Sequence, residues 1–96
     1  MTYLDDIARR IESKVSPGLV PTKSADLFRL YALLVRAKGA EVDAEDVHDA
    51  WVAWMASKGE SHRSMVEFSS LSPDVQSEDE PFLAAMRAVA LEFPSE

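Results

Sequence analysis

The chain has no cysteine, which removes disulfides, thiolate nucleophiles and cysteine-held metals from consideration. It has only three glycines, too few for phosphate-cradling loops of the P-loop or dinucleotide type. Its longest apolar stretch, around Leu30 to Val35, falls far short of a bilayer span. The first residues alternate polar with apolar and carry Asp5 and Asp6, which is unlike a signal peptide, so the expectation is a cytoplasmic protein with no membrane partner. No run alternates with period two for long enough to build a sheet. Basic residues are also scarce. Ten Lys and Arg face seventeen Asp and Glu, a net charge of −7 with a pI near 4.7, which argues against nucleic-acid phosphates as a partner.

What is present is helical periodicity. Ninety-six residues suit one domain, and four main helices are expected over about 3–15, 24–38, 44–58 and 80–93. In the first, Leu4, Ile7, Ala8, Ile11 and Val15 share a stripe, Thr2 is the N-cap, and Asp5–Arg9 and Asp6–Arg10 form i,i+4 pairs. It ends before Ser16-Pro17-Gly18, and Pro21 keeps the connector extended. The second, capped by Ser24, is apolar around most of its circumference, with a polar strip near Arg29 and Arg36, so it should lie at the centre. Gly39 closes it.

The third helix has the clearest start. Asp43 caps it, Glu45 and Asp46 load its first turn, and Val42 with Val47 forms a hydrophobic staple. Its stripe is Val47, Ala50, Trp51, Trp54 and Met55, and Gly59 terminates it. Residues 60–71 lack a helical period but hold Met65, Val66, Phe68 and Leu71, the pattern of an ordered loop laid over the helices. Ser72-Pro73 starts one short turn of helix near 72–76. Phe82, Leu83, Met86, Val89, Ala90 and Phe93 make the last stripe, which Pro94 stops. The fold class is therefore all-α, a compact bundle.

Reactive constellations are few. His48 and His62 lie fourteen apart with no HExxH spacing, so no metal site is expected, and no cofactor. His48 sits at the edge of the apolar stripe, about 60° around the helix from Trp51, where a histidine usually holds a carbonyl. The serines occupy turn and cap contexts, none in GxSxG. An enzyme is not expected; catalysis would need Asp49, Asp79 and a histidine in one cleft. Trp51 and Trp54, three apart, cannot both be central in so small a core: one should be buried and the other half covered by the 60–71 loop, or offered to a ligand.

Charge is uneven along the chain. Through Lys38, seven bases outnumber four acids for a net +3, whereas from Gly39 onward three bases face thirteen acids for a net −10. Acids at helix starts and in loops explain most of this. The alternative is an acidic face that docks on a basic partner.

From Asp43 to Val89 the sequence resembles the ryanodine-receptor repeat domain, a small helical module also found in bacterial and phage proteins. The resemblance is carried by Val47-His48-Asp49-Ala50-Trp51, then Gly59, then His62-Arg63-Ser64-Met65-Val66-Glu67-Phe68, and then Leu71 with Asp79 eight residues later. This chain departs from the pattern in three places. Only Glu60-Ser61 separate the glycine from the histidine, Glu67 replaces a usual proline, and Glu80 replaces an arginine after the aspartate. The resemblance implies a non-enzymatic binding module for a small nucleotide-like, anionic ligand or a protein partner; a homodimer through a tryptophan-bearing apolar patch is compatible with this reading and with its alternative. The implied surface lies between the third helix and the 60–71 loop. His48, Trp51, Trp54, His62, Arg63, Phe68 and Asp79 are its candidate residues. Asp79 also has a plainer role open to it, pinning the loop through backbone or histidine hydrogen bonds. The alternative function is an acidic interaction or inhibitor protein, phage-derived, on a partner's basic surface.

Overall fold

Short polar side chains at Thr2, Asp43 and Ser72 begin three of the helices. In the computed structural model, which describes residues 2–92, α1 (Tyr3–Ser13) opens with a reciprocal capping box. The Asp5 amide donates to Thr2 Oγ1 at 3.2 Å, and the Thr2 amide donates to Asp5 Oδ2 at 3.1 Å. A 3₁₀ turn at Pro17–Leu19 leads through the connector to α2 (Ala25–Lys38). A second at Gly39–Glu41 leads to α3 (Ala44–Ser57), where Asp43 and Asp46 repeat the capping box. The loop after α3 carries a 3₁₀ turn at Phe68–Ser70. The single turn α4 (Pro73–Gln76) follows, then a 3₁₀ turn at Ser77–Asp79 that runs into α5 (Glu80–Glu92). No strand occurs among the described residues. The fold is all-α, as the periodicity predicts. The expected places of Phe93 and Pro94 lie outside the described residues.

One buried cluster joins the long helices. Ile7, Ala8 and Ile11 of α1 meet Leu27, Phe28, Tyr31, Ala32 and Val35 of α2, Val47, Ala50 and Trp54 of α3, and Leu83, Met86 and Val89 of α5. The staple residues Val42 and Val47 are both fully buried. Ion pairs clamp the periphery: Lys14 and Arg10 reach Glu92 across α1 and α5, and Lys38 grips Asp46 at 2.8 Å. The Arg87 guanidinium donates to the Val42 carbonyl at 3.0 Å and ties α5 to the start of α3.

Three expectations are corrected. Asp5 does not pair with Arg9: its carboxylate is held in the capping box, and its other oxygen meets Arg29 Nε on α2 at 2.6 Å. Asp6–Arg10 does form, at 3.2 Å. Ser24 stands at the N-cap of α2 but makes no side-chain cap bond, because its backbone is bent (φ −100°, ψ 20°) rather than extended. Helix α2 is central on one side only. Leu33 is 53% exposed because it falls on the Arg29–Arg36 face, which α1, α3 and α5 leave uncovered. In the connector Pro17 starts a 3₁₀ turn, and Val20, before Pro21, is extended (φ −78°, ψ 119°) as expected.

Candidate functional site

The 60–71 loop is fixed through its backbone rather than its side chains. His48 is almost fully buried, at 3% exposure, and its Nε2 lies 2.6 Å from the Val66 carbonyl oxygen. A carbonyl can only accept, so Nε2 carries the hydrogen, and in the neutral ring Nδ1 is left as an acceptor. The carbonyl-holding role expected of His48 is what the structure has. Further on, Gln76 Nε2 donates to the carbonyls of Phe68 (2.9 Å) and Leu71 (3.2 Å), which hangs the loop from α4. Val66 therefore anchors by its carbonyl while its side chain stays exposed, unlike the apolar anchor expected there. Met65, Phe68 and Leu71 are half-buried.

Rings line up along α3 beneath this loop. Phe68 lies 6.0 Å from His48, His48 stacks on Trp51 at 5.8 Å, and Trp51 and His62 make a T-shaped contact at 5.5 Å. Trp51 is half covered and Trp54 buried at 5% exposure, so the two indoles divide as expected of a small core. Trp54 is thereby corrected as a site candidate. It is a core residue, roofed by the Lys58 ammonium 3.8 Å from its ring centroid.

Opposite Trp51, Tyr31 and Phe82 pack ring to ring at 6.0 Å. The space between these walls is a cleft of about 270 Å³. Leu19 and Pro21 from the α1–α2 connector line it too, with Leu71 and Val75. His62, Ser64, Glu78 and Asp79 supply polar edges. Of the expected site residues, the cleft gathers His48, Trp51, His62 and Asp79. Trp54 and Arg63 lie outside it, and Phe68 only backs the His48 ring. Tyr31, Phe82, Glu78 and the connector residues were missed. Tyr31 and Phe82 read as ordinary members of apolar stripes, and nothing in the sequence brings residues 19–21 against residues 71–82.

Three polar groups at the cleft are notable for what they do not touch. The Tyr31 hydroxyl has no hydrogen-bond partner among the described residues, although the residue is only 2% exposed. Every fully enclosed side-chain nitrogen or oxygen there does have a partner, so this oxygen opens into the cleft. Burial, with the Asp79 charge adding to it, drives the Tyr31 phenol well above its usual range. His48 Nδ1 is likewise without a partner among the described residues. The Asp79 carboxylate makes no hydrogen bond or ion pair there either, so the loop-pinning role belongs to His48 and Gln76 instead. Burial pushes Asp79 up to about 6, with His48 pulling against the shift and Glu78 and Glu80 adding to it. Ser64 donates its backbone N–H to His62 Nδ1 at 3.0 Å, which occupies that nitrogen. No three histidine or acidic side chains among the described residues converge well enough to hold a metal ion.

The model of a protein family described as a domain of unknown function, DUF7701, matches residues 2–91. The chain belongs to that family. The match takes in α1 and the connector as well as the segment from α3 onward, so both walls of the cleft lie within the DUF7701 region. No curated protein and no solved structure matches the chain. None of the described helices of this DUF7701 domain is long and apolar enough to cross a membrane.

Proposed function

We propose that the domain is a non-enzymatic binding module that takes a small ligand in the cleft between α2, α3, α5 and the 60–71 loop. The observation that carries this reading is the Tyr31 hydroxyl: the residue is buried, yet this oxygen has no hydrogen-bond partner among the described residues and opens into the cleft. Buried polar groups in folded proteins are nearly always hydrogen-bonded, so a ligand that closes over this hydroxyl must satisfy it or leave it unmet at a cost of about 1–3 kcal/mol. A cleft that keeps such a group aimed into it suits a ligand able to satisfy it. At about 270 Å³ the space is just below the roughly 300–1,000 Å³ of sites for drug-sized ligands. A fragment-sized molecule or one end of a larger ligand matches it.

Binding rather than turnover is supported by the contacts of the reactive groups. Ser64 shares the cleft with His62, but the histidine nitrogen that could act as its base accepts the Ser64 amide instead. Asp49 is exposed and outside the cleft, so the trio of Asp49, Asp79 and a histidine is not assembled. Docking of an acidic face on a basic partner draws less support. Asp5, Asp6, Asp43, Asp46 and Glu92 are engaged in helix caps and ion pairs.

Thermal-shift screening of the whole chain against a broad metabolite set, followed on the Trp51 indole resonance, tests the reading. The expected result is at least one ligand that raises Tm and moves the Trp51 signal while leaving the buried Trp54 signal in place. A screen in which no ligand moves Trp51, alongside salt-sensitive capture of a basic protein, would overturn it in favour of the docking alternative.

A further inference from the structure

Granted the binding reading above, on which this step rests, we infer that the cleft takes a compact organic cation with N–H donors, a primary ammonium or amidinium on a small apolar or aromatic body. No lysine or arginine lines the cleft, whereas two carboxylates, Asp79 and Glu78, do. An anionic ligand would meet these like charges with no lysine or arginine beside them, and like-charge juxtaposition disfavours binding. A cation meets the opposite situation.

The hydrogen-bond inventory points the same way. Asp79 is an acceptor without a partner among the described residues, and His48 Nδ1, which has none there either, is an acceptor in the neutral ring because the Nε2 hydrogen goes to Val66. Tyr31 adds a hydroxyl that can accept, again without a partner. The three residues line one space, where the histidine at the edge, His62, has one nitrogen already filled by Ser64. A group rich in N–H donors complements this set, as an ammonium has three donors and no acceptor. The aromatic faces of Tyr31, Phe82 and Trp51 add cation–π attraction for the head group and apolar contact for the body. Asp79 is partly desolvated with no lysine or arginine lining the cleft, and an incoming ammonium would supply a charge partner.

The test titrates the full chain at pH 7.5 with phenethylammonium and benzamidinium, and in parallel with neutral phenethyl alcohol and anionic phenylacetate and AMP. Calorimetry gives the affinity and the Trp51 indole resonance the site. Both cations should move Trp51 and bind at least about tenfold more tightly than the neutral and anionic probes. Asp79→Asn should lose about tenfold of cation affinity with the rest of the amide spectrum unchanged. Tyr31→Phe, which keeps the ring, should lose a smaller factor, so a failure of one variant to fold leaves the other to decide. Neutral or anionic probes that bind the cleft as well as the cations would overturn the cation inference and leave the binding-module reading standing. Cations that leave Trp51 unmoved up to about 10 mM, a millimolar Kd being the weak end of specific binding, would also overturn it. The broader metabolite screen then decides separately whether the cleft binds anything.

Discussion

His48 Nε2 stands 2.6 Å from the carbonyl oxygen of Val66, eighteen residues further along the chain. That one bond joins a buried helix residue to the middle of a loop with little regular structure of its own, and it fixes the tautomer that faces the cleft. Because the ring is also packed between Trp51 and Phe68, its packing and its hydrogen bond can be separated by substitution.

His48→Phe keeps a ring in that stack and removes the donor. The Val66 carbonyl lies near the surface and can turn to water, so the loss should be moderate, about 1 kcal/mol in denaturant unfolding. The effect should be concentrated in the loop. Amide exchange at Met65, Ser70 and Leu71, whose N–H groups bond within the loop, should accelerate well beyond that of α1 and α2. Equal protection in the variant and the parent would show that the loop is held by other contacts.

The loop and the helices differ in how far the sequence disclosed them. Thr2, Asp43 and Ser72 signal helix starts through local chemistry, a side-chain oxygen within three residues of the amide it satisfies, and all three make those bonds. Trp54 and Leu33 were harder, since periodicity places a residue on a face but not the neighbour that covers it. The cleft is further still from local signals. Tyr31, Phe82 and Pro21 converge only because α2 and α5 cross beside the connector, and their spacing in the chain holds no trace of it. His48 was legible as a carbonyl-holder, yet which carbonyl it takes depends on how the loop returns over α3.

The two tryptophans should respond unequally to truncation. Trp54→Ala opens a void in the shared core and removes the surface on which the Lys58 ammonium rests, and should cost about 3–5 kcal/mol. Trp51→Ala acts on a half-covered residue whose neighbours, His48 and His62, can partly collapse onto the gap, so about 1–2 kcal/mol is expected. Urea unfolding of both variants measures the difference. A Trp51 loss equal to that of Trp54 would mean the cleft wall is part of the core.

Asp79 and Asp5 should shape the pH profile in opposite directions. Asp79 has a folded pKa raised to about 6 from the ordinary 3.8 by burial, so the fold favours its protonated form. Its contribution is fully favourable below about 3.8 and is lost as pH rises through 6. Asp5 is held at about 2, chiefly by the Arg29 hydrogen bond, so its contribution is present above 3.8 and fades as pH falls towards 2. Asp79→Asn should therefore stabilise the domain at pH 7.5, by about 1 kcal/mol once solvent screening of a half-buried group is allowed for. The gain should vanish near pH 4. Unfolding curves of parent and variant across pH 4–8 would refute the assignment if they ran parallel.

Tyr31→Phe is the sharpest stability test of the cleft. A tyrosine this deeply buried ordinarily loses about 1 kcal/mol on conversion to phenylalanine, because its hydroxyl has a partner that is then orphaned. Here the hydroxyl has none among the described residues, while the ring keeps its edge contact with Phe28 at 5.4 Å and its tilt against Phe82. Removing the oxygen should leave stability unchanged or raise it by a few tenths of a kcal/mol, since no hydrogen bond is broken and less polar surface is desolvated. With a cleft ligand bound, the same substitution should reverse sign and lower Tm relative to the parent. A loss of 1 kcal/mol or more in the unliganded domain would mean that the hydroxyl is satisfied within the fold, and would take from the cleft the group that most favours its being a binding site.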